Sequence, residues 1–279
     1  MKINLAKSAG FCFGVKRAIK TAFAAAFSGE TIEMLGDIVH NEDAVDKIKK
    51  AGIKKISLLK NGKNKTLLIR AHGAPLDIFI KARALGYKII DATCPMVKEI
   101  HKIVVAQQTR GRNIIIVGDK EHDEVKGIMG QINHRAIVID ALENIPFAEI
   151  KKIKKACLVV QSTQNLEKVL KIAEVLKQYI TDLSFFNTIC NPTRTKQQEI
   201  RAMPLENDVI IVIGSRTSAN TRRLYEISKS LNARTHWIQS DKEIKPSWFK
   251  GAESVGVTAG ASTPDEVTKE IVEKLNNLG

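Results

Sequence analysis

The 279-residue chain lacks several features that mark whole classes of protein. No apolar run approaches the ~20 residues that a membrane span needs, and the segment after Met1 has no apolar stretch of signal-peptide length. Aromatic residues make up only 5% of the chain, too few for an obvious base-stacking surface. Gly and Pro are also scarce, which excludes a collagen-like or proline-rich chain. We therefore expect a globular cytoplasmic protein that does not associate with membranes.

The four cysteines form no Cys-x-x-Cys pair, which argues against a zinc ribbon, a thioredoxin site and a ferredoxin-type run. Cys157 lies inside an apolar segment and is predicted to be a buried core residue. Cys12, Cys94 and Cys190 instead lie at element boundaries beside Gly or Pro. Three such thiolates can hold zinc together with a histidine, or a cubic iron–sulfur cluster by three of its corners. The spacing of these cysteines does not distinguish a zinc site from an iron–sulfur cluster.

Positive charge dominates, with 44 Lys and Arg against 30 Asp and Glu, for a net charge of +14. A chain of this charge attracts anions, such as phosphorylated metabolites, nucleic acid or an acidic partner protein. The Lys residues are spread out, with no basic arm and no recognised nucleic-acid-binding module. We therefore predict no nucleic-acid partner, although a basic nucleic-acid-binding protein remains an alternative.

Short Ile- and Val-rich runs alternate with helical patterns, which predicts an α/β fold with parallel sheets. Strand and helix units of this kind fill each third of the chain, and we predict three small α/β domains at 1–93, 94–189 and 190–279. The predicted strands are Thr31–Val39, Thr66–Ala71, Tyr87–Ala92, Asn113–Gly118, Ala136–Asp140, Ala156–Gln161, Asp208–Gly214 and Ser254–Ala259.

Polar side chains follow the predicted strands at the edge where ligands bind in parallel sheets. His122 and Glu124 read as a proton donor with a partner, whereas His101 is expected on a helix surface. Hydroxyl and amide groups that precede helices suit a phosphate. Together these placements favour a single central cavity. The candidate residues are His40, His72, His122, Glu124, Ser162, Thr163, Ser218, Asn220 and Ser262.

Eight short motifs that contain most of these candidates follow one another along the chain. They are Gly10-Phe11-Cys12-Phe13-Gly14-Val15, Val39-His40-Asn41, Ala71-His72-Gly73, Asp91-Ala92-Thr93-Cys94-Pro95, His122-x-Glu124-Val125-x-Gly127, Ile189-Cys190, Gly214-Ser215-x-x-Ser218-x-Asn220 and Thr258-Ala259-Gly260-Ala261-Ser262-x-Pro264. In this order the motifs resemble those of the 4-hydroxy-3-methylbut-2-enyl diphosphate reductase family, which ends the non-mevalonate isoprenoid route. The resemblance covers nearly the whole chain, and the ordered set is specific although each motif alone is weak.

The resemblance implies a fold, a cofactor and a reaction. The implied fold is a trefoil of three α/β domains around a central cavity. The implied cofactor is a [4Fe-4S] cluster held by Cys12, Cys94 and Cys190, with one iron open to the substrate's hydroxyl oxygen. The implied reaction removes that hydroxyl with two electrons and two protons, giving isopentenyl and dimethylallyl diphosphate. An acidic electron carrier, ferredoxin or flavodoxin, would supply the electrons. A zinc-dependent hydrolase is the other alternative.

The resemblance also implies roles for individual side chains. Glu124 would be the proton source, relayed by Ser162 or Thr163. Ala219 stands where a second Ser is common in the family, so only its backbone N–H is available. Asp123 replaces the usual Pro between His122 and Glu124, which would make that loop less rigid. The implied substrate-binding residues are His40, His72, Ser218, Asn220 and Ser262, with His122 lining the site.

Overall fold

The computed structural model describes residues 1–278, which form twelve strands and ten α-helices joined by short turns. The strands are β1 Lys2–Leu5, β2 Thr31–Leu35, β3 Lys54–Ile56, β4 Lys65–Ile69, β5 Lys88–Asp91, β6 Asn113–Val117, β7 Ala136–Ile139, β8 Lys155–Val160, β9 Asp182–Phe185, β10 Val209–Ile213, β11 Thr235–Ile238 and β12 Ser254–Ala259. The helices are α1 Phe13–Ala26, α2 Glu42–Lys50, α3 Leu76–Ala84, α4 Pro95–Thr109, α5 Asp123–Met129, α6 Phe147–Ile150, α7 Leu166–Lys177, α8 Asn191–Glu206, α9 Ala219–Leu231 and α10 Asp265–Asn276.

The strands form three four-stranded sheets, and every pairing in them is parallel. Sheet A has the order β1-β12-β10-β11, sheet B the order β3-β2-β4-β5, and sheet C the order β7-β6-β8-β9. Sheets B and C thus repeat one topology. Sheet A has the same topology if β1 is counted as its fourth strand. The predicted α/β fold with parallel sheets is confirmed.

The first strand completes the last sheet. In sheet A, β1 pairs with β12, and Lys2 lies opposite Ser254. The N-terminal strand therefore belongs with the C-terminal strands, although the sequence prediction groups it with residues up to 93. The domain boundaries after residues 93 and 189 stay a prediction.

The central strands are mostly apolar because both of their faces are covered. In sheet C, Ile115 and Val117 of β6 enter one hydrophobic core, whereas Ile114 and Ile116 enter another. Alternating residues of one strand thus serve two cores. The same division occurs in sheet A, where Ile211 and its neighbour Ile210 in β10 belong to different cores. This explains the continuous Ile and Val runs of the sequence.

Two compact units make up the described chain. The first contains Met1–Lys16, His40–Val45 and the residues from Asn191 onward, and it holds sheet A. The second contains Arg17–Val39 and Asp46–Cys190, and it holds sheets B and C. Within residues 1–278, no helix combines the length and apolarity that a membrane crossing requires.

Within the second unit, a tight contact joins sheets B and C. The Leu76 N–H, at the start of α3, donates to Gly130 O at the end of α5. The Gln131 amide donates to Ala74 O at 2.9 Å. Gly130 has ordinary helical dihedrals, so its importance here lies in its small size. A Cβ atom at Gly130 would lie 2.3 Å from Pro75 Cβ.

We therefore expect the G130A substitution to destabilise the protein by about 1–3 kcal/mol, because the added methyl overlaps Pro75 and forces the contact apart. G127A is the matched control, since a Cβ there would meet nothing closer than His72 O at 3.4 Å. Urea unfolding of both variants measures the difference. Equal urea midpoints for G130A and G127A would show that the contact between Gly130 and Pro75 accommodates the added methyl without loss of stability.

Candidate functional site

Each sheet presents one cysteine in the same local setting. Cys12, Cys94 and Cys190 directly precede α1, α4 and α8 respectively. Each backbone N–H donates to a carbonyl two residues beyond the end of a central strand of the sheet. The acceptors are Ala261 after β12 at 3.0 Å, Ala71 after β4 at 2.9 Å and Ser162 after β8 at 3.1 Å. The positive end of a helix dipole favours a thiolate at each of these positions.

Cys157 differs from these three thiols. It is fully buried in β8, and its burial raises the pKa of the thiol to about 12. Such a thiol stays protonated at neutral pH and is a poor metal ligand. The other three cysteines are only half-buried. The predicted core position of Cys157 is confirmed.

The loop before Cys12 is held by a buried lysine. Lys196 is 2% exposed, and its Nζ donates to Gly10 O at 3.1 Å, to Ala259 O at 2.9 Å and to Ser8 O. Burial lowers the pKa of Lys196 to about 8. The sequence alone did not indicate a role for Lys196. It lies on α8 six residues after Cys190, and this position points to the Cys12 loop only once the fold is known.

A second cation missed in the sequence holds the segment before Cys94. Arg17 Nη1 donates to Thr93 O at 3.1 Å and to Ala92 O at 3.4 Å. The guanidinium therefore fixes the backbone that leads into the cysteine. Nothing in the residues around Arg17 marks it, because its partners lie more than seventy positions away along the chain.

Four of the predicted phosphate-binding residues meet within the first unit. Ser262 Oγ donates to His40 O at 2.9 Å and lies 3.4 Å from Ser218 Oγ. Asn220 Oδ1 accepts from Ala261 N–H at 2.9 Å. Asn220 is 3% exposed, and its buried Nδ2 donor has no hydrogen-bond partner within residues 1–278. An unpaired buried donor is costly, so this atom favours a ligand that supplies an acceptor, such as a phosphate oxygen.

The N-terminus of α9 lies in the same cluster. Ser218 caps the helix by accepting from Thr221 N–H, and Ala219 is the first helical residue. The N–H groups of a first helical turn have no partner within the helix and attract anions. Ala219 thus keeps a backbone donor although it has no hydroxyl. Hydroxyl, amide and helix-terminus donors together suit a phosphate.

In the second unit, Glu124 and Ser162 form a buried pair. Ser162 N–H donates to Glu124 Oε1 at 2.6 Å, and Ser162 Oγ donates to Oε2 at 2.8 Å. Both bonds favour the carboxylate, yet burial outweighs them and raises the pKa of Glu124 to about 7. Thr163 Oγ1 instead accepts from the Gln161 amide at 3.1 Å. Ser162 is therefore the hydroxyl that contacts Glu124.

Histidines lie beside this pair. The rings of His72 and His122 meet edge to face, with centroids 5.5 Å apart. His122 also caps α5, because its Nδ1 accepts from Glu124 N–H at 3.1 Å. The expectation that His101 lies on the surface is wrong. Its ring packs where a Cβ of Gly73 would lie, and burial lowers the pKa of His101 to about 4.

The predicted site residues divide between the two units. The first unit brings together His40, Ser218, Ala219, Asn220 and Ser262, and it also holds Cys12. The second unit holds His72, His122, Glu124, Ser162, Thr163, Cys94 and Cys190. The histidines, Glu124 and the hydroxyl and amide residues follow central strands, whereas the three cysteines follow the edge strands β1, β5 and β9.

Comparisons with known proteins identify a family. A family model described as LytB protein matches residues 3–276. A relative from Aquifex aeolicus, named 4-hydroxy-3-methylbut-2-enyl diphosphate reductase, is 38% identical over 99% of this chain and 96% of its own length. A relative of the same name from Clostridioides difficile is 38% identical over the full length of both chains.

Solved structures show the same fold. The E-1-hydroxy-2-methyl-but-2-enyl-4-diphosphate reductase from Plasmodium falciparum is 27% identical, with a TM-score of 0.90 over 99% of this chain and 88% of that one. A structure of (E)-4-hydroxy-3-methyl-but-2-enyl diphosphate reductase, the terminal enzyme of the non-mevalonate pathway, is 38% identical with a TM-score of 0.72. It covers 99% of this chain and 100% of its own. With a family match that spans nearly all of its residues, the chain belongs to the LytB protein family.

Proposed function

We propose that this protein is a 4-hydroxy-3-methylbut-2-enyl diphosphate reductase, which removes the allylic hydroxyl and yields isopentenyl and dimethylallyl diphosphate plus water. Membership of the LytB family and the names of the full-length relatives support the reaction. The observation that carries the proposal is the recurrence, in three sheets, of a cysteine that precedes a helix with its N–H bound at a strand end. Anaerobic turnover of the substrate, with both products measured, tests the reaction directly.

The three cysteines fit a [4Fe-4S] cluster held at three of its irons. Their half-buried thiols lie at helix N-termini, where negative charge is stabilised. Cys157 is excluded because its thiol stays protonated. When bound, the cluster supplies electrons one at a time together with a Lewis-acidic iron. Nothing in the comparisons favours the alternatives of a zinc-dependent hydrolase or a nucleic-acid-binding protein.

The donors of the first unit are proposed to hold the substrate diphosphate. Ser218 and the Asn220 amide offer neutral donors, and the Ser262 hydroxyl would offer a third by turning away from His40 O. The α9 N-terminus adds a partial positive charge. His40 and His72 complete the proposed set, and His122 lines the site. Binding energy from this remote group orients the far end of the substrate for reaction.

Glu124 is proposed as the proton source, with the Ser162 hydroxyl as its relay. Its pKa of about 7 leaves a large fraction of the carboxyl protonated at neutral pH. A general acid works best when its pKa lies near the working pH. Protonation lets the substrate's oxygen depart as water rather than as hydroxide, which is a poor leaving group.

An acidic electron carrier, such as ferredoxin or flavodoxin, is the proposed redox partner. The net charge of +14 would steer such a protein toward this one by long-range attraction. The proposed location is the cytoplasm, because its reducing environment keeps thiols available for a cluster.

Cluster content tests the ligand assignment. We expect C12A to lose most of its iron and sulfide, because one of three anchoring thiolates is absent. The matched variant C157A should retain about four iron atoms per chain. Anaerobic purification with iron and sulfide analysis measures both. Full iron content in C12A, or its loss in C157A, would contradict the proposed set.

Turnover by E124Q tests the proton source. Glutamine keeps the size of the side chain and can still accept from Ser162 N–H, but it has no acidic proton. We expect kcat to fall by roughly 10²–10⁴-fold with cluster content unchanged. E121Q, an exposed change in the same loop, should keep wild-type turnover. A wild-type rate in E124Q would remove Glu124 from the mechanism.

The raised pKa of Glu124 also predicts a pH dependence of stability. The folded protein binds this proton up to about pH 7, whereas the unfolded chain releases it near 4.5. The free energy of unfolding should therefore fall between these pH values as the pH rises, by at most about 3 kcal/mol from this group. E124Q should lack this component. Urea midpoints at pH 5 and pH 8 measure it, and equal changes in both proteins would refute it.

A further inference from the structure

Arg70 and Asp123 form an ion pair that joins two turns of the second unit. Arg70 Nη1 donates to Asp123 Oδ2 at 2.6 Å, and the two side chains are 18% and 28% exposed. Arg70 Nε also donates to Gly73 O at 3.4 Å. Arg70 directly follows β4 of sheet B, whereas Asp123 opens α5 after β6 of sheet C. The pair therefore ties a turn of one sheet to a loop of the other.

Both partners stand beside site residues. Arg70 lies two positions before His72, and Asp123 lies between His122 and Glu124. The His72 and His122 rings are in edge-to-face contact across the same two turns. A shift of one turn against the other would change the distance between these rings.

We propose that the Arg70–Asp123 pair positions the two histidine rings and the Glu124 carboxyl for the reaction. The inference rests on the proposed function and adds two positioning residues to it. Arg70 and Asp123 act through their neighbours and are not catalytic residues. Asp in place of Pro at position 123 would make the loop less rigid, and the ion pair with Arg70 would restore that rigidity.

An ordinary surface ion pair does not account for this arrangement. Lys126 and Glu121 form such a pair at 2.7 Å in the same loop, with side chains 48% and 84% exposed. Exposed pairs of that kind contribute about 0–1 kcal/mol and fix little. The Arg70 guanidinium is mostly buried and holds two partners. Since His122 caps α5 through Glu124 N–H, anchoring the first residue of α5 also anchors both site residues beside it.

The backbone at position 123 can accept a proline, which would make the loop rigid without an ion pair. Proline is favourable at the first position of a helix, and it needs an extended residue before it. His122 has φ −70° and ψ 139°, which meets this requirement. D123P therefore replaces the ion pair with a conformational constraint on the same loop.

The test compares D123N, R70M, the R70M/D123N double variant, D123P and the control E121Q, all as cluster-loaded protein. Substrate affinity is measured by calorimetry with the oxidised enzyme, which does not turn over, and kcat and KM are measured with a chemical reductant. We expect D123N and R70M each to lose roughly 10-fold or more in kcat/KM, because misplacing a reacting group by about 1 Å costs up to about 100-fold. Iron content and thermal midpoint should stay near those of the wild type.

The variants separate positioning from other roles. The double variant should match the single ones, D123P should regain most of the activity lost in D123N, and E121Q should behave as the wild type. Additive losses in the double variant, or unchanged kcat, KM and affinity in D123N, would overturn the inference. If the wild type itself does not convert the substrate, the proposed function fails instead.

Discussion

The arrangement depends on one recurring hydrogen bond, from the backbone N–H of a cysteine to a carbonyl just beyond a central strand. It occurs once per sheet, at Cys12, Cys94 and Cys190. A thiol on a mobile loop would bind a ligand less tightly, because the loop would lose conformational entropy on binding. Here the loop is already fixed to the sheet, and the helix that follows places its positive end at the sulfur. The backbone thus holds each of the three cysteines in place, and Lys196 and Arg17 add hydrogen bonds to the segments before Cys12 and Cys94.

Two opposing effects set the pKa of the Glu124 carboxyl. Ser162 gives the Glu124 carboxyl two hydrogen bonds, which favour ionisation, while complete burial opposes it more strongly. The result is a carboxyl that titrates near neutrality. The proposed phosphate-binding residues of the first unit need no such tuning, because their donors are neutral and the N-terminus of α9 is already capped. The two proposed roles, proton transfer and anchoring of the substrate, would thus depend on different physical effects in different units.

The sequence predicts the six central strands because residues covered on both faces are mostly apolar. It also predicts the edge strands β5 and β7, but it does not predict the edge strands β1, β3, β9 and β11. In β3, Lys54 and Lys55 are exposed and break the apolar pattern. The candidate site residues could be proposed from the sequence because most of them follow predicted strands. Lys196, Arg17 and Arg70 were not proposed because partners of each lie far along the chain. His101 was placed on the surface although it is four residues after Val97 and three before Val104, which lie on the buried face of α4.

The pairing of β1 with β12 has a consequence for how the protein is made. Lys2 leaves the ribosome about 250 residues before Ser254, so sheet A cannot close until β12 has been made. Sheets B and C have no such dependence and can form while translation continues. The Cys12 loop, whose N–H donates to Ala261 O, cannot be fixed until the segment after β12 has been made. If Cys12 is a cluster ligand, as proposed, loading of the complete site follows the synthesis of β12.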